Sequence, residues 1–219
     1  MTQPEIRGDT PGIELFPQFR QEIYDMYRQE LAGLTDEQLD FTSDRWGWSE
    51  WSIRFNLSHV ASGDFRWLLQ RWGENLFPDG LPEIDDWEGI IDSPYDRRLD
   101  ETKYWDVDSI FAVMRKSMDF VCSILEEETV DSMRGKELRS SVSGQLHWLE
   151  AHPRGVREDP NDPPWGYIDL EATFRHRYFE YMTHLYNIQR LKKAQGLEVV
   201  VDVPEVGYHA LPNWDRSEP

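Results

Sequence analysis

At 219 residues the chain is long enough for one domain with a sizeable core, and 39% hydrophobic with ten tryptophans is a globular composition rather than a disordered one. Its 42 acidic against 23 basic side chains leave a net charge of −19, a field that repels phosphate backbones and anionic lipid surfaces and argues against nucleic acid as a partner. Cys122 is the single cysteine, which excludes an internal disulfide and a thiolate metal cluster, and no run approaches the roughly 18 apolar residues of a membrane span, so a soluble protein of the reducing cytoplasm is expected.

From Ile13 to Leu31, Phe16, Phe19, Ile23, Met26, Tyr27 and Leu31 recur at helical spacing, with Pro17 in the first turn or at a kink. Thr35 and Gln38 have capping-box spacing. Ser49 is the expected cap of a second helix that runs to about Trp72, with His59 on or beside its inward face, Arg54, Arg66 and Arg71 pointing elsewhere, and Gly73 as its stop. Residues 74–105 form a long acidic connection of the kind that acts as a lid or an interaction surface. Asp106 caps a third helix through Ile110, Phe111, Met114, Met118, Val121, Cys122 and Leu125 to about Glu127. Residues 129–168 read as irregular with one short helix within 142–151. Asp169 caps a fourth helix that ends at Lys192-Lys193 and Gly196. After it, residues 197–203 have β character, and 204–219 are a polar tail. The expected organisation is one domain over 1–219, with a bundle core at about 13–196 and a tail from 197.

On the fourth helix Glu180 and His184 lie four residues apart, stacked one turn above the other, where they can close on one metal ion. His59 is the natural third ligand. A helical wheel puts Thr173, Arg177, Glu180, His184 and Asn187 along one edge of the core face, and His176 outward. His176 and His184 are two turns apart, about 12 Å along the axis, and do not easily share an ion. A His-Glu-His set suits zinc with an open position, and also nickel, manganese or ferrous iron. The plainer readings are a polar pair on a helix for Glu180 with His184, a hydrogen-bonded core histidine for His59, and solvent-facing positions for His147 and His152. Arg177 pairs with a core carboxylate or with an anionic ligand.

These residues resemble the DinB-like superfamily of metal-binding four-helix bundles. The likeness lies in Leu34-Thr-Asp-Glu-Gln-Leu39, Trp46-Gly-Trp-Ser49, Asn56-Leu-Ser-His59-Val-Ala61 and Glu180 through Ile188. It implies an all-α, up-down-down-up bundle with long loops, here with a short β-like arm at the C-terminal end, and often a homodimer. It also implies one divalent metal (Zn, Ni, Mn or Fe) held by a histidine of the second helix and a pair four residues apart in the last. His59 and His184 match that pattern, whereas Glu180 stands where the family has histidine: a carboxylate ligand, or the mark of a site that no longer holds metal. Some relatives transfer low-molecular-weight thiols. Two functions follow as expectations. One is a metal-dependent S-transferase or hydrolase acting on a small molecule or thiol, with His59, Glu180 and His184 on the metal and Arg177 and Asn187 orienting the substrate. The other is a non-catalytic bundle that binds a small molecule or a protein.

Overall fold

The computed structural model describes residues 6–142 and 145–219, and the side chain of Leu146 lies outside that description. Four helices carry the architecture: α1 Glu22–Glu30, α2 Ile53–Phe65, α3 Val107–Glu127 and α4 Leu170–Ala194. Helix α2 packs against α3 and α4, and α1 packs against the same two. Paired residues give the relative directions. Asn56 meets His184 while Asp64 meets Arg177, so α2 and α4 run oppositely; Tyr27 meets Tyr181 while Glu30 meets Lys192, so α1 and α4 run together.

The ends of these helices follow local chemistry. Ser52 accepts from Phe55 N, Asp106 from Asp108 N and Ser109 N, and Asp169 from Ala172 N, satisfying donors that a first turn leaves bare. Thr35 and Gln38 form the expected reciprocal capping box, and Gly196 closes α4 in the left-handed region at φ 70°. The core is aromatic. Phe16, Phe19, Tyr27, Phe174 and Tyr181 are all at most 2% exposed and meet edge to face or tilted, an arrangement their ring quadrupoles favour.

Several expectations require correction. The first helical stretch is broken: Gly12–Leu15 is one turn, Pro17–Phe19 a 3₁₀ turn, and α1 starts only at Glu22, because Pro17 has no N–H to continue a helix. Ser52, not Ser49, caps the second helix; Ser49 is buried in a 3₁₀ turn and donates to the Ser43 and Trp46 carbonyls. That helix does not stay α-helical to Trp72. It passes at Arg66–Arg71 into a π-helical turn, and Gly73 opens a short helix, Gly73–Leu76, instead of stopping one. Arg54 does not point away: it is 2% exposed, ion-paired to Asp36 and Asp40 and bonded to the Trp105 carbonyl.

Residues 129–168 are also more ordered than expected. Helix Val130–Gly135, strand β1 Glu137–Ser141, helix Leu146–Ala151, strand β2 Val156–Glu158 and strand β3 Trp165–Asp169 build an antiparallel sheet of order β1-β3-β2, which adds a small β element to the all-α class. The β-like arm at 197–203 forms no strand. Its Val200 and Val201 N–H groups donate to Glu30, which also pairs with Lys192. Nor is 204–219 merely a polar tail: Tyr208 and His209 are 1% and 2% exposed.

Candidate metal centre

His59 enters the site from the middle of α2, and Glu180 and His184 enter from successive turns of α4 opposite it. The His59 and His184 Nε2 atoms lie 3.3 and 3.7 Å from the same oxygen, Glu180 Oε2, and one ligand atom from each residue falls within 4.8 Å of the others. A tetrahedral centre with zinc-like bonds spaces its ligands at roughly 3.3–3.6 Å, so the set needs little movement to close on an ion.

The second atom of each imidazole decides what the first can do. His59 Nδ1 is 3.0 Å from the Arg97 carbonyl, which can only accept, so Nδ1 carries the proton. His184 Nδ1 is 2.7 Å from Asn56 Oδ1. The Asn56 amide is oriented by its own Nδ2, which donates to the Trp51 and Ser52 carbonyls, so His184 Nδ1 is likewise the donor. Each ring, when neutral, therefore turns a bare Nε2 lone pair toward Glu180.

Burial, opposed by Glu180 and aided by His184 and Arg66, pushes His59 down to about 3, so it is neutral near pH 7. Burial raises the Glu180 carboxyl, but hydrogen bonds from His184 and His59, which need a proton on Nε2, outweigh burial and hold it well below the usual range, as a carboxylate. With both Nε2 atoms bare, two lone pairs and a carboxylate oxygen meet with no donor between them. Such a contact is favourable only around a shared proton or a cation, and the donor set, with each histidine fixed through its far nitrogen, fits a divalent metal.

The loop that places the Arg97 carbonyl belongs to the long acidic connection. Arg97 has φ 53°, the one left-handed non-glycine among the described residues, and the Leu99 N–H is tied back to Ser58 Oγ on α2. Sparsely populated backbone of this kind persists only where its surroundings impose it. Here it aims a carbonyl at His59 and at Arg66 Nη2. Trp51 closes the other side, edge-on to His59 at 5.2 Å and stacked beside His184 at 6.2 Å.

Beside the triad a cavity of about 690 Å³ opens between α2 with its π-helical turn, α4 and the sheet, lined in part by His59, Arg66, His176, Arg177 and Glu180. Arg177 is 1% exposed; its Nε donates to Asp64 Oδ1 at 2.6 Å, and its Nη1 is 3.9 Å from Glu180. Asp64 in turn accepts from Tyr181 and Ser117. Asn187 is not brought to the cavity: its Oδ1 accepts from Arg190 Nη2 at 2.5 Å.

His176 is not outward but 3% exposed, and His152, expected in solvent, is equally buried. Both face the Tyr208 hydroxyl, His176 Nδ1 at 2.5 Å and His152 Nε2 at 3.1 Å. His147, half-buried, lies edge-on to the Tyr208 ring. The signal for His176 was present in the four-residue spacing His176, Glu180, His184. What hid it was the cover supplied by Trp67, Trp148 and Tyr208, which pack against His176 from other parts of the chain. Asp64, Arg66 and Arg71 carry no such signal, because their roles depend on α4 and on the π-helical turn.

No family model matches the sequence, and no curated protein matches it significantly. A solved structure does match the fold. It is that of YfiT from Bacillus subtilis, described as a probable metal-dependent hydrolase with an unusual four-helix bundle topology, at TM-score 0.54 and 15% identity over 90% of this chain and 94% of that one. The chain thus has the four-helix-bundle fold of YfiT, as its resemblance to the DinB-like superfamily implies.

Proposed function

We propose that the chain is a divalent-metal-dependent enzyme of the DinB-like type, in which His59, Glu180 and His184 hold the ion and the adjoining cavity receives a small-molecule substrate. The observation that carries this reading is the convergence of two bare Nε2 atoms on one carboxylate oxygen, each ring locked through its Nδ1. A carboxylate in place of a third histidine leaves a complete ligand set, which speaks against a retired site and against the non-catalytic alternative. Zinc is the first metal to test, with nickel, manganese and ferrous iron next.

A divalent ion there would supply Lewis acidity, lowering the pKa of water or of a thiol near neutral pH. The protein's own groups do the rest. Arg97 and Asn56 fix the two imidazoles, Trp51 shields them from solvent, and Arg177, held by Asp64, orients the bound molecule. Hydrolysis, the chemistry in YfiT's description, and thiol transfer draw on the same centre. The up-down-down-up order fits the helix pairings above, and we extend the resemblance to a cytoplasmic homodimer.

The test is a screen of ester, amide and thiol-transfer substrates with protein stripped by a chelator and then reloaded with zinc or manganese. Activity that appears on reloading and is lost in His184→Ala supports the reading. Activity indifferent to the chelator and to His184 removes it.

A further inference from the structure

The protein carries a net charge of −19, yet the cavity beside the triad is lined by Arg66, Arg71, Arg97, Arg139 and Arg177 against one carboxylate, Glu180. Three of these arginines have carboxylate partners: Arg97 with Asp96, Arg139 with Asp162, and Arg177 with Asp64. Arg66 and Arg71 have none within 4.0 Å among the described residues. Arg66 donates to the His59 and Arg97 carbonyls, and the Arg71 guanidinium lies over the Trp67 ring at 4.1 Å. A chain rich in carboxylates thus leaves Arg66 and Arg71 without one, a pair of cations at the cavity wall that an anion would neutralise.

Two buried donors point the same way. Arg177 and Trp148 line the cavity at 1% and 5% exposure, and the buried Arg177 Nη2 and Trp148 Nε1 have no hydrogen-bond partner among the described residues. Neither atom can accept. Gly63 belongs to the same construction: a Cβ there would stand 2.2 Å from Arg177 Nη2, so glycine keeps room for the guanidinium at the wall. Any group that satisfies either atom must be an acceptor. Trp67, Trp148 and Trp165 also line the space, together with Gln70, Leu138, Ser140, Ser141 and Gln145.

We propose that the cavity binds a small organic anion, its carboxylate or phosphate head on Arg66, Arg71 and Arg177 and its apolar body against Trp67, Trp148 and Trp165. The inference names the substrate class of the site proposed above and rests on that reading for its place in a reaction, but the anion site itself needs no metal. Guanidinium forks match both head groups in two-point contacts, so carboxylate and phosphate are separated by experiment.

The test uses benzoate, phenyl phosphate and neutral benzamide, titrated by calorimetry and by tryptophan fluorescence into chelator-treated and zinc-loaded protein. The chelator-treated protein is expected to bind benzoate or phenyl phosphate but not benzamide, the tighter of the two anions assigning the head group. Arg66→Gln and Arg71→Gln each weaken that binding about tenfold, as loss of a charge-assisted contact does. Both arginines sit at the cavity wall outside the Asp64 pair, and circular dichroism verifies the fold of each variant. The proposal is overturned by benzamide binding as well as the anions, by neither anion binding, or by binding that the two substitutions leave unchanged. Anion binding found only with zinc and insensitive to both arginines places the anion on the metal, which refutes this inference and leaves the metal centre standing. Arginine-dependent binding in a protein that takes up no metal does the reverse.

Discussion

Replacing Asn56 with alanine removes the acceptor that fixes the His184 tautomer at 2.7 Å and leaves every proposed ligand in place. Outer groups that orient a metal-bound imidazole are worth about 10–100-fold in metal affinity, or roughly 1.4–2.7 kcal/mol. The same substitution deletes the bonds from Asn56 Nδ2 to the Trp51 and Ser52 carbonyls, so with the His184 contact three hydrogen bonds are lost, a cost to folding of roughly 2–4 kcal/mol. Asn56→Asp separates the two effects. It keeps an acceptor for His184 Nδ1 but turns a carboxylate oxygen on two carbonyls, so stability falls while metal affinity is retained or rises. The assay is zinc competition against a chromogenic chelator, with thermal unfolding in chelator run beside it. The reasoning is refuted if folded Asn56→Ala binds zinc as tightly as the parent, or if the two variants lose affinity equally.

Three further outcomes are expected. Tyr208→Phe leaves His176 and His152 without their shared hydroxyl and lowers stability by roughly 1–3 kcal/mol, read as a shift in thermal midpoint; an unchanged midpoint contradicts the buried network. Burial drives His152 down to about 3, so the fold favours its neutral form: the stability it contributes is complete above the unfolded value near 6.5 and is lost as pH falls below it. Chelator-treated protein should therefore lose about 1 kcal/mol from His152 between pH 6.5 and 5.5, a loss that His152→Gln removes. Glu30 is raised by burial but lowered further by Lys192, the Val201 N–H, Gln189 and the Val200 N–H, so its contribution is present above the unfolded carboxylate value and lost as pH falls through the lower folded one. Glu30→Gln is expected to cost about 3–5 kcal/mol at pH 7 by stranding Lys192, and to flatten the loss of stability below about pH 4.5.

Helices α3 and α4 were legible because each combines a 3.6-residue apolar period with a local stop or cap: Asp106, Asp169 and Gly196 act where they stand in the sequence. Ser49 misled because Ser52, three residues later, offers the same hydroxyl and stands immediately before Ile53, where the helix begins. The sheet was missed for a different reason. Strand β1, Glu137-Leu-Arg-Ser-Ser141, alternates between exposed and half-buried and has no strongly apolar face, so its pairing with β3 is set by tertiary context. Of the site, the spacing of Glu180 and His184 and the resemblance pointed to the trio. The tautomers were not legible, since they depend on a carbonyl at Arg97 and an amide at Asn56 that folding brings in from elsewhere. The arginine wall was hidden similarly: Arg66 and Arg71 read as solvent-facing on a regular helix, and their convergence with Arg177 needs the π-helical turn and α4 together.

The most direct measurement is the metal content of the protein purified without chelator or affinity tag, set beside His59→Ala, His184→Ala and Glu180→Gln. The account predicts about one equivalent of a divalent metal, zinc before the others, in the parent and its loss in each of the three variants. No metal in the parent after incubation with zinc, nickel, manganese or ferrous iron, or undiminished metal in the variants, would contradict it.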